Sequence, residues 1–156
     1  MSDSGLAIIR RALHVEAEDL SSLAFRSKAY WGYPEEFMEA CREELTLSSS
    51  YLRENPGFVI ECKKMVVGFY ALERLSNSDV ELGYLFVEPS MLGRGYGRKL
   101  IAHAKEQARS LGYESMIIQS DPGAAHFYRA AGGNVVGSKE SESIPGRVLP
   151  LLRIEL

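Results

Sequence analysis

Three glycines at alternate positions, Gly93, Gly95 and Gly97, stand between a strand-like run and a helix-like run, interleaved with Arg94 and followed by Arg98 and Lys99. Glycine lets the backbone approach a ligand closely, and the free N–H groups at a helix start favour an anion, so this turn reads as a phosphate cradle. The two common nucleotide cradles do not fit it. A dinucleotide fingerprint needs a further glycine at the position of Arg98 or of Leu100, and a P-loop needs a four-residue gap between its glycines and then Lys-Ser or Lys-Thr. Downstream, Asp121 and Pro122 form a helix-start signal and Gly132-Gly133 a stop, bracketing a short helix that carries Phe127 and Tyr128. A tyrosine there serves packing or proton transfer, and the local sequence alone does not choose.

The elements that must place these residues follow from periodicity. LAIIRRAL (6–13) has strand composition, and 17–31 repeats its apolar residues at helical spacing, with Leu20, Leu23, Ala24 and Trp31 on one face. PEEFMEACREEL (34–45) begins with proline and acids, which suits a second helix. After the turn at Asn55-Pro56-Gly57, runs at 58–62, 65–75 and 80–89 predict three antiparallel strands, the first two joined by a hairpin at Lys63-Lys64. The glycine turn leads into a helix reaching about Ser110, a strand at 114–120, the short helix from Pro122 to Ala131, and strands near 133–142 and 147–155. Strands that meander first and alternate with helices later predict an α+β fold with a mixed α/β sheet, central and mostly antiparallel, flanked by helices. Pro150, within the final strand-like run, predicts an edge strand or bulge, and that edge is a candidate for homodimer pairing.

Composition narrows the class. A chain of 156 residues, 46% hydrophobic and 25% charged, fits one domain spanning 1–156. No run approaches the ~20 apolar residues of a membrane span, and the opening MSDSGLAIIRR lacks a leader pattern, so the expectation is a cytoplasmic protein without a membrane partner. A net charge of −3 gives no reason to expect nucleic acid. Cys41 and Cys62 lie in neither metal-ligand nor disulfide spacing, and His14, His103 and His126 match no metal or catalytic pattern, so no metal is expected. Five basic residues between Arg94 and Arg109 face one acid, whereas 35–44 carries five glutamates against Arg42. Solvated helix faces account for both runs unless a second feature gives them work.

Taken together, 81–100 and 121–132 resemble the GCN5-related N-acetyltransferase family. The family's turn pattern Gln/Arg-x-x-Gly-x-Gly/Ala falls on Leu92-Gly93-Arg94-Gly95-Tyr96-Gly97, and its Asn-x-x-Ala-x-x-Phe-Tyr on Asp121, Ala124, Phe127 and Tyr128. Leu92 replaces the usual Gln or Arg, and Asp121 replaces the usual Asn. The resemblance implies an acetyl-coenzyme A dependent N-acetyltransferase that works by direct attack in a ternary complex on a small-molecule or peptide amine. It also implies that Arg98 and the turn hold the pyrophosphate, that the backbone of Leu85, Phe86 and Val87 meets the acetyl carbonyl and pantetheine arm, and that Asp121 borders the cofactor. Tyr128 is then the general acid, and Glu81, on the strand feeding the turn, is the candidate base. Trp31, Tyr33, Glu35 and Glu36 cluster where the family's first helices border the acceptor. A catalytically silent coenzyme A sensor and a partner-binding domain with a purely structural turn stand as alternatives.

Overall fold

The computed structural model describes residues 6–156; Met1–Gly5, the start of the stretch read for a leader, lie outside the described residues. One seven-stranded sheet runs in the order β1-β2-β3-β4-β5-β7-β6. The strands are β1 (Ile8–Arg11), β2 (Gly57–Cys62), β3 (Met65–Arg74), β4 (Asp79–Val87), β5 (Ser115–Gln119), β6 (Gly133–Glu140) and β7 (Val148–Glu155). All neighbours pair antiparallel except β4 and β5. The expected mixed, mostly antiparallel sheet is therefore present.

Alternation along the central strands feeds two cores. Val59 and Phe69 point into a cluster with Leu20, Leu23, Met38, Cys41 and Leu52, from α1 (Ala17–Ala29), α2 (Glu35–Cys41) and α3 (Ser49–Glu54). Their neighbours Ile60 and Tyr70 point the other way, onto Tyr96, Leu100, Ile101 and Ala104 of α4 (Tyr96–Ser110) and Tyr128 of α5 (Ala125–Ala130). Strands covered on both faces read as continuous apolar runs, which is how β2 and β3 appear in the sequence. Cys41 and Cys62 are buried in these separate clusters and are not joined in a disulfide.

Three expectations need correction. α1 stops at Ala29, and Gly32 with φ +87° turns the chain, so Trp31 leaves the helix and stands 50% exposed instead of sharing the core face. β7 is an interior strand between β5 and β6, so Pro150 does not mark an edge. The Pro150 carbonyl accepts from the Ser120 amide just past the last β5–β7 pair, Gln119↔Leu151, so its missing N–H faces the side where that ladder has ended. A register slip between Val135 and Gly137 supplies the bulge nearby, and β6 forms the sheet's edge. Finally, the helix expected over 34–45 is shorter, since α2 ends at Cys41, and a further helix absent from the sequence reading, α3, follows beyond that range with Ser48 accepting from the Tyr51 amide at its start.

Candidate functional site

The site exists because β4 and β5 part company. Their parallel pairing covers only Asp79↔Ser115 to Glu81↔Ile117, and β4 then continues through Val87 with no strand on that side among the described residues. The divergence begins at a bulge. Ala71 pairs with Tyr84 but Leu72 with Leu82, leaving Gly83 as an extra residue on β4. Such a bulge bends a strand and increases its twist, which swings the far half of β4 away from β5. The result is a groove of about 900 Å3.

At one end of the groove lies the glycine turn. Gly93 and Gly95 have φ of +81° and +85°, and a Cβ at either would meet nothing within 4 Å. Backbone conformation, not crowding, therefore demands glycine there. Gly95 is the N-cap of α4, and the amides of Gly93, Gly95 and Gly97 have no hydrogen-bond partner among the described residues, which leaves donors facing an anion. Leu85, Phe86, Val87, Leu92, Gly93, Gly95, Tyr96, Gly97, Arg98 and Asp121 all line the groove; Arg94 does not. A phosphate-bearing ligand with an extended arm fits this arrangement: donors at the turn and an open strand edge leading inward.

Further in stand the two groups with chemistry. Tyr128 is 8% exposed, lines the groove, and its hydroxyl has no hydrogen-bond partner among the described residues. Burial pushes its phenol well above the ordinary value, with the charge of Asp121 adding to the effect, so it stays protonated throughout the neutral range. Glu81 accepts a hydrogen bond from Gln119 Nε2 at 2.9 Å. Burial raises the Glu81 carboxyl above the ordinary glutamate value and Glu73 raises it further, while Lys139 and the Gln119 hydrogen bond pull it back. Glu88, the other acid near this strand, is held by Arg26 at 2.7 Å. Its carboxylate is already engaged at the surface.

The expected acceptor cluster separates. Trp31 lines the groove, its ring lying over Gly123, where a Cβ would come within 2.8 Å of it. Glu35 and Glu36 are exposed on α2 and do not line the groove, because Met38 and Cys41 are the residues that α2 turns inward. Tyr33 stays behind the lining, where its hydroxyl donates to Asp121 Oδ2 at 2.6 Å. Asp121 Oδ2 also meets Arg147 Nη2 at 3.1 Å and Lys28 Nζ at 3.7 Å, and Asp121 Oδ1 accepts from the Gly123 amide at 2.9 Å. The capping role expected of Asp121 is thus present, and the rest of its carboxylate ties α1 and the β6–β7 loop together.

Several lining residues carried no signal in the sequence. Glu73, Gln119, Lys139, Glu142 and Arg147 come from strands and a loop whose proximity depends on the sheet order. Among the described residues, no group of three or more His, Cys, Asp or Glu is placed to hold a metal, and no helix is long and apolar enough to cross a membrane.

A family model described as the acetyltransferase (GNAT) family matches residues 12–132. The peptidyl-lysine N-acetyltransferase YjaB of Escherichia coli is 32% identical over 149 residues, 94% of each chain. Among solved structures, a GCN5-related N-acetyltransferase of Rhodopseudomonas palustris superposes with a TM-score of 0.79 at 20% identity, covering 96% of this chain and 95% of that one. The PaiA N-acetyltransferase of Thermoplasma acidophilum, in complex with coenzyme A, gives a TM-score of 0.77 at 20% identity over 96% and 99%. These structural likenesses establish the shared fold.

Proposed function

The chain belongs to the GNAT acetyltransferase family, and from that premise we propose that it transfers an acetyl group from acetyl-coenzyme A to a primary amine, by direct attack with both substrates bound. The observation that carries this reading is the single groove that joins the open β4 edge, the glycine turn, Glu81 and Tyr128. The coenzyme A complex of PaiA and the peptidyl-lysine activity named for YjaB support the donor and the acceptor class.

The chemistry needs a neutral amine, a polarised carbonyl and a proton for the departing thiolate. An amine arriving as the ammonium gives one proton to Glu81, directly or through water. Its nitrogen then attacks the thioester carbonyl carbon, whose oxygen is met by β4 backbone N–H groups. As the C–N bond forms and the C–S bond breaks, the Tyr128 hydroxyl protonates the sulfur, and the proton shed by the nitrogen restores Tyr128. Glu81 returns its proton to solvent. The products are an amide, a free thiol and one released proton.

Each group suits its task. Glu81 has a raised pKa for a carboxylate, which makes it a stronger base than an exposed glutamate. Tyr128, pushed up by burial, is a weak acid against a free thiolate of pKa about 8.5, but the same dry surroundings raise the thiol alongside it. Neither Cys41 nor Cys62 lines the groove, which favours direct attack over an acyl-cysteine intermediate.

Free-thiol release from acetyl-coenzyme A in the presence of a panel of amines tests the proposal. Release that depends on an amine and falls in Tyr128→Phe supports it. Tight coenzyme A binding with no release against any amine would favour the silent sensor instead, and no thermal stabilisation by acetyl-coenzyme A would favour the partner-binding domain.

A further inference from the structure

Glu73 is an acid in an unexpected place. It stands directly opposite Glu81 in the β3–β4 ladder, and both residues line the groove. Two like charges facing each other across a strand pair destabilise a sheet. Here Glu73 is held: Tyr51, from α3, donates its hydroxyl to Glu73 Oε2 at 2.6 Å.

The bulge makes room for that arrangement. A Cβ at Gly83 would collide with Glu73 Oε2 and would lie 3.0 Å from the Tyr51 hydroxyl, so the carboxylate lies over the bare backbone of the residue that starts the divergence of β4 from β5. The same absence of a side chain that opens the groove thus lets Glu73 sit across its wall. Glu142 and Lys139 also border the groove near Glu81, and the single lysine does not match the three acids. A separate observation marks a ligand position in the same groove: the Tyr128 hydroxyl, on a side chain 8% exposed, has no hydrogen-bond partner among the described residues.

We infer that Glu73 selects the acceptor: its carboxylate, held over Gly83 by Tyr51, binds the primary alkylammonium of the incoming amine and presents it to Glu81. The assignment rests on the acetyltransferase reading and adds a division of labour to it. Glu73 supplies the charge that brings a cation into a half-buried groove, and Glu81 removes the proton. A hydrogen bond to a charged partner in such surroundings corresponds to about a ten- to hundredfold effect on affinity.

The experiment compares a lysine-containing peptide with the same peptide carrying norleucine, which keeps the four-carbon stem and loses the ammonium, on protein saturated with coenzyme A. Binding of each is measured by calorimetry, and transfer to the lysine peptide and to 1,5-diaminopentane is measured separately by thiol release. Wild type should prefer lysine to norleucine, and Glu73→Gln, which keeps an acceptor for Tyr51, should lose about tenfold or more of that preference while binding coenzyme A unchanged. Gly83→Ala, which pushes the carboxylate aside without removing its charge, should do the same. The peptide and diamine arms tell which source supplies the ammonium: dependence on Glu73 in either supports the assignment, and independence in both overturns it. A wild type that prefers lysine yet transfers to no amine would sink the catalytic proposal but not the ammonium site. Normal transfer with Glu73→Gln showing undiminished preference would sink only the site.

Discussion

The Tyr33 hydroxyl donates to Asp121 Oδ2 at 2.6 Å, so a residue expected at the acceptor site and one expected beside the cofactor are each other's partner. Arg147 closes the triangle, donating to the Tyr33 oxygen at 2.8 Å and stacking its guanidinium 4.9 Å from the Phe37 ring centre. Burial alone would raise the Asp121 carboxyl, but the Tyr33 hydrogen bond, the Gly123 amide and the charges of Lys28 and Arg147 outweigh it and hold it below the usual range. Burial and Asp121 together push the Tyr33 phenol up to about 12.

That network makes stability sensitive to acid. A depressed carboxyl contributes stability that is present above its unfolded pKa, about 3.9, and is lost as pH falls through the lower folded value. Asp121→Asn keeps the cap on Gly123 and removes the charge from Arg147 and Lys28. It should lower stability by about 1–2 kcal/mol at neutral pH and flatten the decline below about pH 4, as read by denaturant melts across pH. An equal decline in both proteins would show that the network carries no linkage.

Removing one oxygen tests the proton donor. Tyr128→Phe retains the ring in its core cluster and should lower kcat by about a hundredfold or more, the range of general acid catalysis, with the coenzyme A dissociation constant unchanged by calorimetry. Unaltered kcat would remove Tyr128 from the chemistry.

Glu81 sets the acid side of the pH profile. A base works when deprotonated, so kcat/KM should rise with pH through the Glu81 pKa, which burial and Glu73 place above the ordinary glutamate value. Glu73→Gln removes one cause of the elevation and should move that limb to lower pH. Glu81→Gln should abolish the limb and most of the rate. A limb that shifts upward in Glu73→Gln would contradict the coupling across the ladder.

Leu92 offers a gain of function. It is apolar, 48% exposed and borders the groove where the family pattern has a polar side chain. Leu92→Gln restores a donor at the turn and should tighten coenzyme A binding about three- to tenfold, the worth of one net hydrogen bond, without loss of melting temperature. Unchanged affinity would mean that the backbone amides alone hold the pyrophosphate.

What could be read before the structure was local chemistry. The Lys63-Lys64 hairpin, the glycine turn, the Asp121 cap and the length of α4 each depend on neighbours in sequence, and each is where periodicity placed it. The groove itself was hidden. It depends on one unpaired residue, Gly83, and a lone glycine inside a strand-like run signals a bulge without showing what the bent strand leaves open. Glu73 reads as a solvated strand residue until the register sets it against Glu81, and Arg147 reads as loop charge until the β6–β7 connection returns over Tyr33. Glu35 and Glu36 illustrate the opposite error. A run of acids on a short helix says nothing about which way the helix faces, and the burial of Met38 and Cys41 turned them to solvent.

The most direct test is a single-turnover reaction of the protein with acetyl-coenzyme A and a lysine-containing peptide, followed by mass spectrometry of both peptide and protein. Acetyl on the peptide amine, in step with free thiol and with none on Cys41 or Cys62, is the predicted result. Thiol release with no acetylated peptide, or acetyl lodged on either cysteine, would contradict direct transfer in this groove.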